Sequence, residues 1–167
     1  NLKTSRTMEQ NINTSTFSFF KAPISNCTPK KDMTLEDAYD HIRRSSYGQT
    51  IKLRTLEEKD AARAYKSSKF DFCTFSGVFT YRDEQHFVRH SGLLCLDFDH
   101  LDDIEGHFKA LSQDPRCPTA LLFRSPSGDG LKWVVPIDVS VMSHEEWFDA
   151  LAAYVKDTYG LEADKHC

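Results

Sequence analysis

The stretch Gly92-Leu-Leu-Cys-Leu-Asp-Phe-Asp99 constrains what this chain can fold into more than any other segment. It is a nearly continuous apolar run of strand length, opened by a glycine and closed by two carboxylates. Such a run reads as a buried strand of a sheet. Side chains alternate along a strand, so Asp97 and Asp99 point to the same face. A fold that buries this run therefore carries both carboxylates to one end of a sheet.

The segments that follow extend the pattern. Asp102–Leu111 has Ile104, Phe108 and Leu111 on one helical face, and Thr119–Phe123 is a second strand. Ser125–Gly130, Ser-Pro-Ser-Gly-Asp-Gly, is a turn by composition, and Leu131–Ile137 is a third strand. Ser143, with Glu146 three residues on, caps a helix whose Trp147, Leu151, Tyr154 and Val155 face inward. Gly160 closes that helix, and Leu161–Asp164 starts a fourth strand. The order β-α-β-β-α-β is the split βαβ of ferredoxin-like and RRM-like folds, an α+β architecture. A doubly wound parallel sheet is the alternative. The short connection between the second and third strands favours the former, because parallel neighbours need a crossover of about a dozen residues.

Three regions are expected: an extended polar arm over 1–31, an N-terminal α/β-hairpin module over 32–91, and the βαββαβ core over 92–167. The arm carries one short β-like run, Thr16–Phe20. Thr34, with Asp37 three residues on, opens a helix that Gly48 ends; Thr55 opens a second, with a capping box to Glu58, running to about Lys66. Gly77–Tyr81 and His86–Val88 flank Asp83-Glu84 as a hairpin.

With 167 residues, 40% hydrophobic and 28% charged, the chain has material for a core, and wholesale disorder is not expected. A membrane-spanning helix needs about 20 apolar residues, so no membrane partner is expected. The polar start has no secretory h-region, which gives a cytoplasmic expectation. Asn1 is not a start methionine, and Met8 is a candidate natural start. Cys27, Cys73, Cys95, Cys117 and Cys167 are odd in number, widely spaced and free of C-x-x-C, so reduced thiols are expected rather than a disulfide framework or zinc site. Residues 1–70 hold 13 Lys+Arg against 8 Asp+Glu, whereas residues 71–167 hold 8 against 17.

In the split βαβ sheet the exit of the first strand meets the entries of the third and fourth. Topology thus brings together Asp97 and Asp99, Lys132 beside Trp133, and Asp164. Carboxylates gathered at a strand end repel unless a cation lies between them, and oxygen ligands of this kind suit Mg²⁺ or Mn²⁺. A lysine beside a glycine-rich turn whose backbone N–H groups (Ser125, Ser127, Gly128, Gly130) are open suits a triphosphate. Together these are the parts of two-metal phosphoryl transfer. Each signal alone has a plainer reading: a D-x-D pair as surface carboxylates, the serine-glycine turn as a hairpin loop, Lys132 as a solvent-facing cation. His100, adjoining Asp99, is either a ligand or substrate contact or a structural residue. His86, His90, His166 and Cys167 lack metal-ligand company.

Leu94-Cys-Leu-Asp-Phe-Asp99 resembles the hydrophobic-D-x-D motif of the archaeo-eukaryotic primase (primase-polymerase) superfamily. Ser125-Pro-Ser-Gly-Asp-Gly-Leu-Lys132 resembles its second motif, and Asp164 falls where its lone third Asp is expected. Phe75–Phe79, Ser91-Gly-Leu93, Asp97–Leu101 and Ser125–Lys132 look more closely like the VirE N-terminal-like family of bacterial mobile-element and replication proteins, over about residues 30–167. The resemblance implies a primase-type core in which Asp97, Asp99 and Asp164 hold metal and are catalytic, while Ser125, Ser127 and Lys132 hold nucleotide phosphates. Gly128 and Gly130 belong to the same phosphate-binding turn. Lys132 stands where primase-polymerases usually carry a histidine. Arg82 and Arg124 are weaker candidates for phosphate or nucleic-acid contact.

The first expectation is therefore a Mg²⁺- or Mn²⁺-dependent nucleotidyltransferase that takes a nucleotide triphosphate and a single-stranded DNA template in replicating a mobile element or phage. A non-catalytic RRM-like nucleic-acid-binding module is the alternative, with Phe98, Phe123 and Trp133 as stacking candidates. A rolling-circle nuclease would need a His-hydrophobic-His pair and a nucleophilic Tyr; there is no such pair, and Tyr154 and Tyr159 read as helix residues. A nuclease using Asp97, Asp99 and Lys132 also remains open. Because the sequence stops three residues after Asp164, inside the expected fourth strand, we expect an N-terminal piece of a longer protein, with a helicase or other domain following.

Overall fold

A computed structural model describes residues 12, 14–45 and 47–165. The protein is α+β, with helices and small antiparallel sheets in two compact units, one ending at Ser91 and the other beginning at Gly92.

In the first unit, β1 (Phe17–Phe20) lies between β2 (Lys31–Met33) and β3 (Phe72–Thr74), antiparallel to both. All four residues of β1 are buried. Phe20 stacks on Phe72 at 4.9 Å between ring centroids, and Phe17 meets Phe75 at the same distance. The β-like run expected within a polar arm is thus the middle strand of a sheet. Its phenylalanines are the local core. A separate hairpin pairs β4 (Gly77–Phe79) with β5 (Phe87–His90).

Two helix boundaries differ from those expected. Thr34 does cap α1 (Leu35–Asp40), with Asp37 completing a capping box. The helix then widens into a π turn over His41–Ser45, and Gly48 lies inside α2 (Tyr47–Arg54) rather than ending a helix. His41 is held there by tertiary partners, Asp71 at 3.2 Å and the ring of Phe19, which no local pattern announces. Thr55 does not open the next helix. Its backbone N–H and hydroxyl both donate to the Lys52 carbonyl, at 3.2 and 2.8 Å. The residue is used to close α2, and α3 (Lys59–Lys69) begins four residues later.

The second unit contains β6 (Leu93–Phe98), α4 (Ile104–Ser112), β7 (Leu121–Arg124), β8 (Leu131–Pro136) and α5 (His144–Tyr159). The strand order is β6-β8-β7, and β8 is antiparallel to both neighbours, so β6 and β7 run parallel with β8 between them. Leu94, Leu96 and Phe98 of β6 and Leu131, Trp133 and Val135 of β8 form the core with Leu111, Leu151, Val155 and Leu161. Alternation sends Asp97 and its cross-strand partner Lys132 to the opposite face. The Ser143–Glu146 capping box forms, and Gly160 ends α5 with φ 68°, a left-handed turn that glycine adopts without steric penalty.

The fourth strand expected at Leu161–Asp164 does not form among the described residues. The turn at Gly160 sends Leu161 into the core. The segment then meets β6 through the Asp164 N–H, which donates to the Asp97 carbonyl at 2.9 Å. One such bond does not build a ladder. The four described cysteines are free and half-buried, and His166 and Cys167 lie outside the described residues.

Candidate functional site

Residues at the carboxyl end of β6 and the start of β8 come together because the two strands pair in register, Asp97 opposite Lys132 and Phe98 opposite Leu131. Asp97 is 8% exposed, and the Lys132 ammonium donates to its Oδ2 in a direct ion pair. Asp99 lies one residue past the strand and is exposed. Its Oδ1 would lie only 3.0 Å from a Cβ placed on Gly130, and the Phe98 carbonyl only 2.5 Å away. Gly130 thus lets the 125–130 turn close directly onto the end of β6.

That turn is tightly self-bonded. Ser125 is buried; its N–H donates to the Gly130 carbonyl at 2.8 Å, and its Oγ accepts the Gly130 N–H at 3.1 Å. The Gly128 N–H donates to the Ser125 carbonyl at 2.9 Å, and Arg124 Nε donates to the Gly128 carbonyl at 2.5 Å. The amides of Ser125, Gly128 and Gly130, expected to be open, are therefore spent on the turn itself, because a tight Ser-Gly turn satisfies its own donors. Ser127 stands exposed at the tip.

Sequence reasoning missed Asp129. Its carboxylate meets His100 Nδ1 at 2.8 Å, and its carbonyl accepts the Leu101 N–H at 2.8 Å. His100 has φ 56°, an uncommon conformation for a residue other than glycine. The pairing joins positions 29 apart in sequence. The signal available was the acidic residue in the turn and the histidine after D-x-D, but only their juxtaposition pairs them.

The site therefore gathers Asp97, Asp99, Lys132, the 125–130 turn and the backbone of Asp164. The donor chemistry is that of a hard cation, since carboxylate oxygens suit Mg²⁺ and Mn²⁺. The geometry is not a closed cage: among the described residues no three His, Cys, Asp or Glu side chains gather closely enough to hold a metal, and the Lys132 ammonium balances Asp97. Mg²⁺ commonly takes one or two protein carboxylates and completes its shell with water and substrate phosphate, so the donors fit in kind.

Other candidates are placed elsewhere. Arg82 lies over the Phe72 ring at 4.7 Å and donates to the Ile24 carbonyl at 2.6 Å, so its guanidinium is committed within the first unit. Phe98 and Trp133 are wholly buried, and Trp133 Nε1 donates to Thr119 Oγ1 at 2.8 Å, which removes both as stacking surfaces; Phe123 is half-buried. Tyr154 and Tyr159 both donate to Asp114 Oδ2 and anchor α5. His86 is bound to Asp83 at 2.6 Å.

No helix among the described residues is long and apolar enough to cross a membrane. Comparison with curated proteins and with solved structures brings no match. One family model does match, over residues 64–167, from α3 of the first unit through the whole candidate site. With more than half of its length matched, the chain belongs to the BT4734-like N-terminal domain family of bacterial proteins.

Proposed function

We propose that this chain is a Mg²⁺- or Mn²⁺-dependent nucleotidyltransferase of primase-polymerase type, related to the VirE N-terminal-like proteins, that acts in replication of a mobile element or phage. The observation that supports this reading is the meeting of Asp97, Asp99, Lys132 and the 125–130 turn at one end of the β6–β8 pair, with Asp164 bonded to the Asp97 carbonyl. Asp97, Asp99 and Asp164 would hold the cation, which when bound neutralises phosphate charge and polarises the phosphorus under attack. Lys132 supplies a point charge for a phosphate oxygen once Asp97 has another cation to face. Ser127 and Arg124 stand at the turn to meet the triphosphate, and the buried Ser125 and Gly130 shape the turn that presents them. The substrate is a nucleotide triphosphate, the template single-stranded DNA, and a helicase or other C-terminal domain the companion; the setting is the cytoplasm.

A non-catalytic nucleic-acid-binding module is favoured by one observation, the Asp97–Lys132 pair, which balances the buried carboxylate without a metal. Burial of Phe98 and Trp133 counts against stacking of the RRM kind. Incubating the protein with labelled NTPs or dNTPs, a single-stranded template and Mg²⁺ or Mn²⁺ separates the two. Metal-dependent incorporation, abolished in Asp99→Ala, is expected. Absence of both metal and nucleotide binding by calorimetry would sink the enzyme reading, and template binding with no metal-dependent incorporation by the unaltered chain would point to the module.

A further inference from the structure

The segment from His41 to Leu56 contains no Asp or Glu, but holds Arg43, Arg44, Lys52 and Arg54. It spans the π turn and α2, in the part of the first unit that precedes the family match. Tyr47 is 66% exposed, the most exposed aromatic side chain among the described residues; Tyr39 is 47% and Ile51 49% exposed. Tyr39 lies in α1, Arg43 in the π turn, and Tyr47 and Ile51 in α2, where they are neighbours at i,i+4. The Arg43 guanidinium lies 5.3 Å from the Tyr39 ring centroid and donates to its hydroxyl at 3.2 Å, so cation and ring form one preorganised unit. Arg44 pairs with Asp40 at 3.5 Å, an exposed ion pair of the kind that contributes little.

The absence of acid for sixteen residues is not what a mixed solvated face shows, and the exposed rings stand beside its cations. We infer that this basic stretch, with Tyr39 before it, binds single-stranded nucleic acid: bases stack on the Tyr39 and Tyr47 rings and phosphates meet Arg43 and Lys52. Aromatic rings interleaved with Arg and Lys are the chemistry that holds single strands without reading sequence. An anionic membrane is the competing occupant of a basic helix. It requires a broad apolar face, and α2 turns Leu53 into the core and keeps only Tyr47 and Ile51 outside. The inference stands apart from the chemistry proposed for the second unit.

Fluorescence anisotropy of the full chain with labelled oligo-dT and oligo-U, about a dozen nucleotides long, tests it. Tyr47→Ala is expected to weaken binding roughly ten-fold, and Tyr47→Phe to retain it, since stacking needs the ring and not the hydroxyl. Lys52→Glu should weaken binding and flatten its dependence on salt, by about 0.7 in the logarithmic slope for each lost phosphate contact. Asp99→Ala should leave all of this unchanged, which separates failure here from failure at the β6–β8 site. Because Tyr47 and Lys52 are exposed, circular dichroism should be identical across the variants. Undiminished oligonucleotide binding in both Tyr47→Ala and Lys52→Glu overturns the inference. So does a loss confined to phosphatidylserine vesicles, or a dimer in sedimentation that disappears in Tyr47→Ala.

Discussion

Asp97 faces a lysine across the strand pair, and that one contact sets the character of the candidate site. A carboxylate this buried must be balanced, and Lys132 does so without any bound ion. The same lysine is the group best placed to receive a phosphate, so its two roles compete for one ammonium. A second residue, Asp114, organises the far end of the unit. Burial pushes its carboxyl up, but hydrogen bonds from Tyr159, from the Cys117 and Arg116 N–H groups and from Tyr154 outweigh burial and hold it below the ordinary 3.8. A lowered carboxylate contributes stability that is complete above its unfolded value and lost as pH falls through the folded one. Thermal unfolding followed against pH should therefore show a loss beginning near pH 4 that is absent in Asp114→Asn. That variant is expected to be less stable at neutral pH by about 1–2 kcal/mol. The Tyr159 hydroxyl is raised by its bond to Asp114 and then by burial, so its share of stability is full below pH 10 and fades above it.

Between elements, the decisive contact is the seat of the 125–130 turn on the end of β6. Gly130 has backbone and side chain so close that a methyl group would collide with the Phe98 carbonyl. Gly130→Ala should lift the turn, cost about 1–3 kcal/mol in urea unfolding, and weaken nucleotide binding with it. Ser127→Ala, at the exposed tip, should change stability by less than about 0.5 kcal/mol while still lowering nucleotide affinity. If Gly130→Ala were neutral in both measurements, close seating of the turn would not matter to the site. The Thr55 boundary teaches a related lesson. Its capping-box spelling is genuine, but its hydroxyl is consumed by the turn before it, and a cap can serve only one helix end.

Over the whole molecule, charge and packing divide along the same line. Residues 1–91 hold 15 Lys+Arg against 11 Asp+Glu, and residues 92–167 hold 6 against 14. The first unit keeps its buried side chains in β1 and its neighbours, while α3 has no buried residue and α2 only Leu53. Helices so lightly anchored open first. Hydrogen exchange should find amides of α2 and α3 exchanging early and those of β6 and β8 last; equal protection of all four would show that α2 and α3 are held by more than their burial suggests.

The sequence by itself determined the buried strand that leads into Asp97-Phe98-Asp99, the serine-glycine turn, the caps at Thr34, Ser143 and Gly160, and the α+β order of the second unit. These are local matters: period, side-chain volume and backbone preference act within a few residues, and a reader of the chain can see them. Only the tertiary structure decided that Lys132 neutralises Asp97, that Asp129 reaches His100, that the turn spends three amides on itself, and that Leu161–Asp164 touches β6 by one bond instead of pairing with it. It also decided that Phe17–Phe20 sits at the centre of a sheet and that Arg82 is locked over Phe72. Apart from the turn's own bonds, which span three to five residues, these depend mainly on partners between about 30 and 70 residues away, and which partner wins is settled by the packing of the whole unit rather than by any spacing along the chain.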